Sequence, residues 1–247
     1  MRIAVLSDIH GNRPALEAVL EDTSDAEVDA IWCLGDVVGY GAQPDECIDL
    51  ILARADVCLV GNHDLAALDE LDISTFSQAA AEAVRWTQAN ADPANLDRLR
   101  ALRPLDESRD AGLYHASPRD PIWEYVLSET QAIENIDAAP KRISLIGHSH
   151  VALFFVVPDD GPLAGQVRFG QGGVGTRLEL PGGRWLINPG SVGQPRDGDP
   201  RAAWIELDTE AWSVTYHRIA YDVDAAADAI TAAKLPGHLA RRLYVGQ

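Results

Sequence analysis

Ile3-Ala4-Val5-Leu6-Ser7-Asp8-Ile9-His10-Gly11-Asn12 is the stretch that decides how this chain folds. Four apolar residues in a row read as a strand buried on both faces. The run stops at Asp8, and Asp8 and His10 stand two residues apart at its end. In an extended segment, residues i and i+2 project from one side, so both could reach one cation. Gly11 lets the chain turn sharply there. Pro14 then takes a first-turn position in a helix whose Leu16, Val19 and Leu20 share a face.

Outward from this stretch the pattern repeats. Residues 30–34 form a second apolar run, ending at Gly35-Asp36. Pro44 opens a helix with Cys47, Ile48, Ile51 and Leu52 on one face. A third run, 57–60, leads into Gly61-Asn62-His63-Asp64. A β-α-β-α-β order implies a largely parallel sheet with right-handed crossovers, and polar residues gather in the loops at one end of such a sheet. Residues 74–102 read as two helices, the first capped by Ser74 and the second started by Asp92-Pro93. They suggest a helical insertion at about 70–105. Strand signals return at 111–116 and 142–147. From 151 to 220 short strands separated by glycine-rich turns are predicted at 152–157, 166–169, 176–180, 184–188, 202–207 and 213–219, a spacing that suggests antiparallel pairing. Two helices, near 222–233 and 237–244, close the chain. The expected class is α/β: a single domain over 1–247 with two sheets packed face to face and helices outside.

Composition narrows the functions. The chain has 247 residues, 47% of them hydrophobic, and a formal net charge of −18. Such a surface argues against a nucleic-acid duplex or an anionic membrane as partner. It does not argue against a phosphate ligand, because bound metals set the local sign. Cys33, Cys47 and Cys58 lie in apolar runs without C-x-x-C spacing, as free thiols of a reducing, cytoplasmic protein would. No signal peptide is read at the N-terminus, and no apolar run is long enough to cross a bilayer.

Four of the seven histidines lie in Asp8-Ile9-His10-Gly11, Gly61-Asn62-His63-Asp64 and Gly147-His148-Ser149-His150. Gly35-Asp36 is a fourth glycine-marked site, and His115 closes another apolar run. Any one of these could be a turn residue, a helix cap or a core histidine. Together, each strand end delivers a metal-binding side chain to one rim. His217 and His238 read as structural or exposed. Gly170-Gln171-Gly172-Gly173-Val174-Gly175 matches a dinucleotide fingerprint, but a strand rather than a helix is expected to follow it.

The order D-x-H-G, G-D, G-N-H-D, H, G-H-S-H resembles the calcineurin-like metallophosphoesterase superfamily, in its small bacterial and archaeal phosphodiesterase branch. That resemblance implies a four-layer αββα sandwich with two mixed β-sheets. It implies one metal on Asp8, His10 and His150, a second on Asn62, His115 and His148, and Asp36 bridging both. His63 matches the catalytic histidine. The cofactors implied are two divalent transition-metal ions, manganese or iron foremost, with zinc, nickel and cobalt compatible. A hydroxide bridging them would attack phosphorus while His63 protonates the leaving oxygen.

Two departures stand out. Val37-Val38-Gly39-Tyr40-Gly41 replaces the Asp-Arg pair that orients the catalytic histidine in protein phosphatases of the superfamily. Ala116 follows His115 where glycine is expected. The substrate expected is a small phosphate ester of nucleotide type, such as a dinucleoside polyphosphate. A phosphoprotein phosphatase and a non-catalytic protein-binding scaffold are the alternatives. Trp123 or Tyr125 could stack on a nucleobase, and Arg119 could hold a phosphate. Arg196 could pair with a distal phosphate, or with Asp197 or Asp199. Asn188-Pro189-Gly190-Ser191 could turn N–H groups toward a phosphate, or be a plain turn.

Overall fold

The computed structural model describes residues 1–247. In β1 (Arg2–Leu6) alternate side chains enter different cores. Ile3 and Val5 pack between two sheets, while Ala4 and Leu6 pack under helices. A strand clad on both faces has no use for a polar side chain, which explains the continuous apolar run.

β1 pairs in parallel with β2 (Ala30–Cys33), and β2 with β3 (Val57–Cys58). The crossovers are α1 (Arg13–Asp25) and α2 (Pro44–Arg54), which bury Leu16, Val19, Ile48 and Ile51 against the outer face. On its other side β1 pairs antiparallel with β11 (Ala202–Asp208), β11 with β12 (Ser213–Ile219), and β12 with β9 (Arg177–Glu179). The second sheet runs β4 (Leu105–Asp106), β5 (Gly112–Tyr114), β6 (Ile143–Leu145), β10 (Arg184–Pro189), β7 (Ala152–Val157), β8 (Arg168–Gln171). Here β5, β6 and β10 are parallel and the other pairings antiparallel. Helix α6 (Glu129–Ala138) covers its outer face through Ile136, against Tyr114, Phe155 and Leu186. Between the sheets lie Ile3, Val5, Trp32, Leu113, Leu145, Ile187 and Ile205. Tyr216 of the first sheet donates its hydroxyl to the Leu153 carbonyl of the second, at 2.8 Å. Two mixed six-stranded sheets flanked by helices make the αββα architecture.

Several expectations shift. Ser74 caps no helix; its hydroxyl bonds the exposed Asp72, and α4 (Gln78–Asn90) starts at Ser77, whose Oγ accepts from the Ala80 N–H. Only after Ser77 does an unbroken helix-forming run begin. Asp92 does cap α5 (Pro93–Leu99). The strands of 151–220 are not all antiparallel neighbours: β10 is parallel to β6, and β9 joins the sheet that β8 and β10 do not. A glycine-rich turn signals reversal, not which sheet receives the next strand. No helix follows Gly170–Gly175, which leads from β8 toward β9. Two helices are additions, α3 (Asn62–Ala67) and α6. The latter carries a Ser128-x-x-Gln131 capping box. The last helices are α7 (Val223–Ala232) and α8 (Gly237–Arg242). No helix is long and apolar enough to cross a membrane.

Candidate metal centre

The backbone at the motif residues is not extended. Asp8, His10, Asp36, His148 and His150 have φ of 56°, 52°, 55°, 63° and 60°. The side chains of Asp8 and His10 therefore converge because the chain curls left-handed, not because of strand alternation. Non-glycine residues held there cost about 1–3 kcal/mol each and persist only where their surroundings fix them. Here they do. Asp8 N–H donates to Gly35 O at 3.0 Å and His10 N–H to Asp36 O at 2.9 Å. His148 N–H reaches Asp8 Oδ2 at 3.1 Å, and Ser191 Oγ–H donates to Asp8 O at 2.8 Å. Asp64 pins two loops together, accepting Gly61 N–H and Val38 N–H at 2.9 Å each. A Cβ on Gly61 would strike the Asp36 carboxylate, and one on Gly147 the Ser7 hydroxyl.

The tautomers follow from these contacts. His10 Nδ1 lies 3.0 Å from Val38 O, His115 Nδ1 3.0 Å from Leu34 O and His150 Nδ1 2.7 Å from Gln194 O. A nitrogen facing a carbonyl must carry the proton, so each Nε2 presents a lone pair. Those lone pairs meet one another. His10 Nε2 and His150 Nε2 are 3.1 Å apart, and His115 Nε2 is 3.1 Å from Asn62 Oδ1. Asp8 Oδ1 is 3.5 Å from His150 Nε2, and Asp36 Oδ2 lies 3.5 Å from His10 Nε2 and 3.7 Å from His115 Nε2. Asp8 Oδ1, Asp36 Oδ2 and His148 Nε2 are buried without a hydrogen-bond partner.

Buried acceptors facing acceptors are strongly unfavourable unless a cation sits among them. The donors form two groups, Asp8–His10–His150 and Asp36–His115–His148. Their mix of carboxylate and imidazole, with the Asn62 amide oxygen beside them, suits a borderline divalent metal. All seven motif residues thus come together, with Asp36 central.

Burial pushes His10, His148 and His150 well below the usual histidine range, and His115 below it. Burial also pushes the Asp8 carboxyl up to about 7 and Asp36 well above the carboxylate range. His63 is lowered by burial, then by Arg196 and His115. The pH dependence of the metal-free protein follows. Below about pH 6.5 the unfolded histidines protonate while six folded ones, His217 included, resist, so stability falls on acidification. Three buried carboxylates, Asp8, Asp36 and Asp64, act oppositely, making stability fall as pH rises from about 4 through their raised values. Six groups outweigh three below the histidine value. Thermal melts in chelator should therefore peak near about pH 6.5 and drop steeply toward about 5. A flat profile would mean that the histidines are not held neutral.

A cleft of about 410 Å³ opens over Asp36, Asn62, His148 and His150. His63, on α3, lies in its wall with ring centroids 4.3 Å from Tyr40 and 5.0 Å from Phe76. These aromatic rings flank His63. His63 Nδ1 is buried without a partner against Gly39, which leaves Nε2 as the nitrogen toward the cleft. Trp123 also lines the cleft, edge-on to Phe76 at 5.3 Å, and Tyr125 stacks on His148 at 4.1 Å. Arg196 lines it too. Asp197 pairs instead with Arg218, and Asp199 with Arg201, so neither competes for Arg196.

Arg119 does not line the cleft; its guanidinium is held by Glu134 on α6, with Glu124 at 3.7 Å. A phosphate contact from Arg119 is therefore withdrawn. Asn188-Pro189-Gly190-Ser191 braces the metal loops rather than cradling an anion. Asn188 Nδ2 donates to Gly147 O at 2.7 Å, and Gly190 N–H is taken by Asn188 Oδ1 at 2.9 Å. Sequence reasoning gave no role to Tyr40, Phe76 or Arg242, all of which line the cleft. Tyr40 could have been noticed between two glycines just after Asp36, and Phe76 as a lone aromatic in a polar run. Arg242 left no signal.

Comparison with known proteins sets this geometry in a lineage. The calcineurin-like phosphoesterase superfamily domain matches residues 1–210. The chain belongs to that superfamily. Its metal-binding groups are those of a metallophosphoesterase, a class of hydrolase. A curated relative, an uncharacterized protein of Methanocaldococcus jannaschii, is 36% identical over 250 residues, covering 99% of this chain and 98% of the relative. The crystal structure of a metallophosphoesterase from Sphaerobacter thermophilus is 38% identical with a TM-score of 0.88, covering 100% of this chain and 99% of that one. A hypothetical protein of Pyrococcus horikoshii shares the fold at 20% identity and a TM-score of 0.78, covering 100% and 98%.

Proposed function

We propose that this metallophosphoesterase hydrolyses phosphodiester or phosphomonoester bonds of a nucleotide-type substrate, such as a dinucleoside polyphosphate, with two divalent ions and His63. The observation that carries it is the double set of opposed lone pairs sharing Asp36, beneath a cleft that holds a histidine, two arginines and aromatic rings. Asp8, His10 and His150 would hold one ion, Asn62, His115 and His148 the other, and Asp36 both. When bound, the ions supply an activated water and neutralise phosphate oxygens.

The chain's own residues do the rest. Val38, Leu34 and Gln194 carbonyls lock three imidazoles in the tautomer that points Nε2 inward. Tyr40 and Phe76 fix the His63 ring, so no energy is spent orienting it during turnover. A phosphate ester entering the cleft brings the negative charge that His63 lacks. Its Nε2 can then hold a proton and pass it to the departing oxygen. The ligand loops are buried, which keeps bulk water from the reacting phosphate.

The decisive experiment is a substrate panel on metal-reconstituted protein: an aryl monoester, an aryl diester, cyclic nucleotides, dinucleoside polyphosphates and a phosphopeptide. Turnover of the phosphopeptide alone would replace this reading with a protein phosphatase. No turnover of any would sink it. Trp123 supplies a further expectation. A base stacked on the indole gains roughly 1–3 kcal/mol. Trp123→Ala should lower kcat/KM for a dinucleoside polyphosphate about tenfold or more while sparing a small aryl ester. Equal loss on both would mean that Trp123 shapes the cleft through Phe76 without reading a base.

A further inference from the structure

Arg196 and Arg242 reach the same cleft from distant parts of the chain. Arg196 follows β10, and Arg242 ends α8. No aspartate or glutamate side chain pairs with either, although the chain holds 38 acidic residues against 20 lysines and arginines. Arg196 donates only to Gln194 Oε1 at 3.0 Å and lies 5.6 Å from the Tyr40 ring centroid; its Nε is buried with no acceptor. Arg242 donates to the main-chain oxygen of Gln247, the last residue of the chain. Burial and the charge of Arg196 both disfavour the charged form of Arg242. Two half-buried guanidiniums that repel each other, with no acidic side chain beside them and one Nε left without an acceptor, favour an anion between them. Ions held by the donor groups would meet one phosphoryl group, which leaves this pair for a second.

We propose that Arg196 and Arg242 form a receptor for a second phosphate of the substrate, making Arg242 a specificity-determining residue for esters that carry linked phosphates over simple esters. The proposal rests on the phosphoesterase reading and deepens it. Guanidinium forks suit this role because each can bind two phosphate oxygens at once.

The test titrates methylenediphosphonate and methylphosphonate, neither hydrolysable, into metal-loaded wild type, Arg242→Gln and Arg196→Gln, with metal content measured before and after to exclude stripping. Each substitution should weaken methylenediphosphonate about tenfold or more and methylphosphonate much less. In turnover, the kcat/KM ratio of a dinucleoside polyphosphate to an aryl diester should fall by a similar factor. Equal weakening of both phosphonates, or none, overturns the receptor. Should Arg242→Gln melt early, Arg196→Gln, on a loop, decides. If no ester is hydrolysed at all, the functional reading fails, while the titration still reports on the receptor.

Discussion

Asp36→Asn should empty both halves of the centre and reduce turnover by on the order of a thousandfold or more, beyond the roughly 10²–10³ lost with a single charge-stabilising donor. The reason is position. Asp36 Oδ2 is the one carboxylate oxygen within 3.5 Å of His10 Nε2 and 3.7 Å of His115 Nε2, and so faces both donor groups. Asparagine keeps the shape, and its Oδ1 can still accept the His63 N–H now held at 2.8 Å. What it removes is a negative charge from a buried site rich in neutral donors. Elemental analysis after reconstitution reads the result. Loss of one ion with the other retained would mean that Asp36 serves a single site.

The second large effect belongs to His63. His63→Ala should keep the metals and lose about 10²–10⁴ in turnover on esters with poor leaving groups. The loss should shrink as the leaving group becomes more acidic, because such a group departs without a proton. The ring packs against Tyr40, Phe76 and His10. Its removal therefore opens space beside the cleft without unpicking the loops. A loss independent of leaving group would assign His63 to binding and leave the proton transfer to another group.

The part of this molecule written in local patterns could be read from the sequence. Ile3 to Leu6 are apolar because both faces of β1 are covered, and that dictated a central strand. The ligand residues were visible because chemistry restricts them to few side-chain types beside glycine. What stayed hidden depends on contacts remote in sequence. β9 pairs with β12 through Val214 opposite Leu178, and β10 with β6 through Ile187 opposite Leu145, partners remote in sequence that the turns between the strands do not report. Arg242 reaches the cleft only because α7 and α8 fold back over Ala83 and Tyr40. The backbone reasoning for Asp8 and His10 reached the right meeting point through the wrong conformation, since a pattern of residue types does not report the sign of φ.

That sign bears on whether the site is in use. Glycine would occupy the same curled positions with less steric penalty. A chain kept only as a docking platform would have no reason to retain Asp8, His10, Asp36, His148 and His150 there, each leaning against its own Ramachandran preference. All five bends carry a side chain able to hold a metal, so the strained backbone and the candidate centre coincide residue by residue.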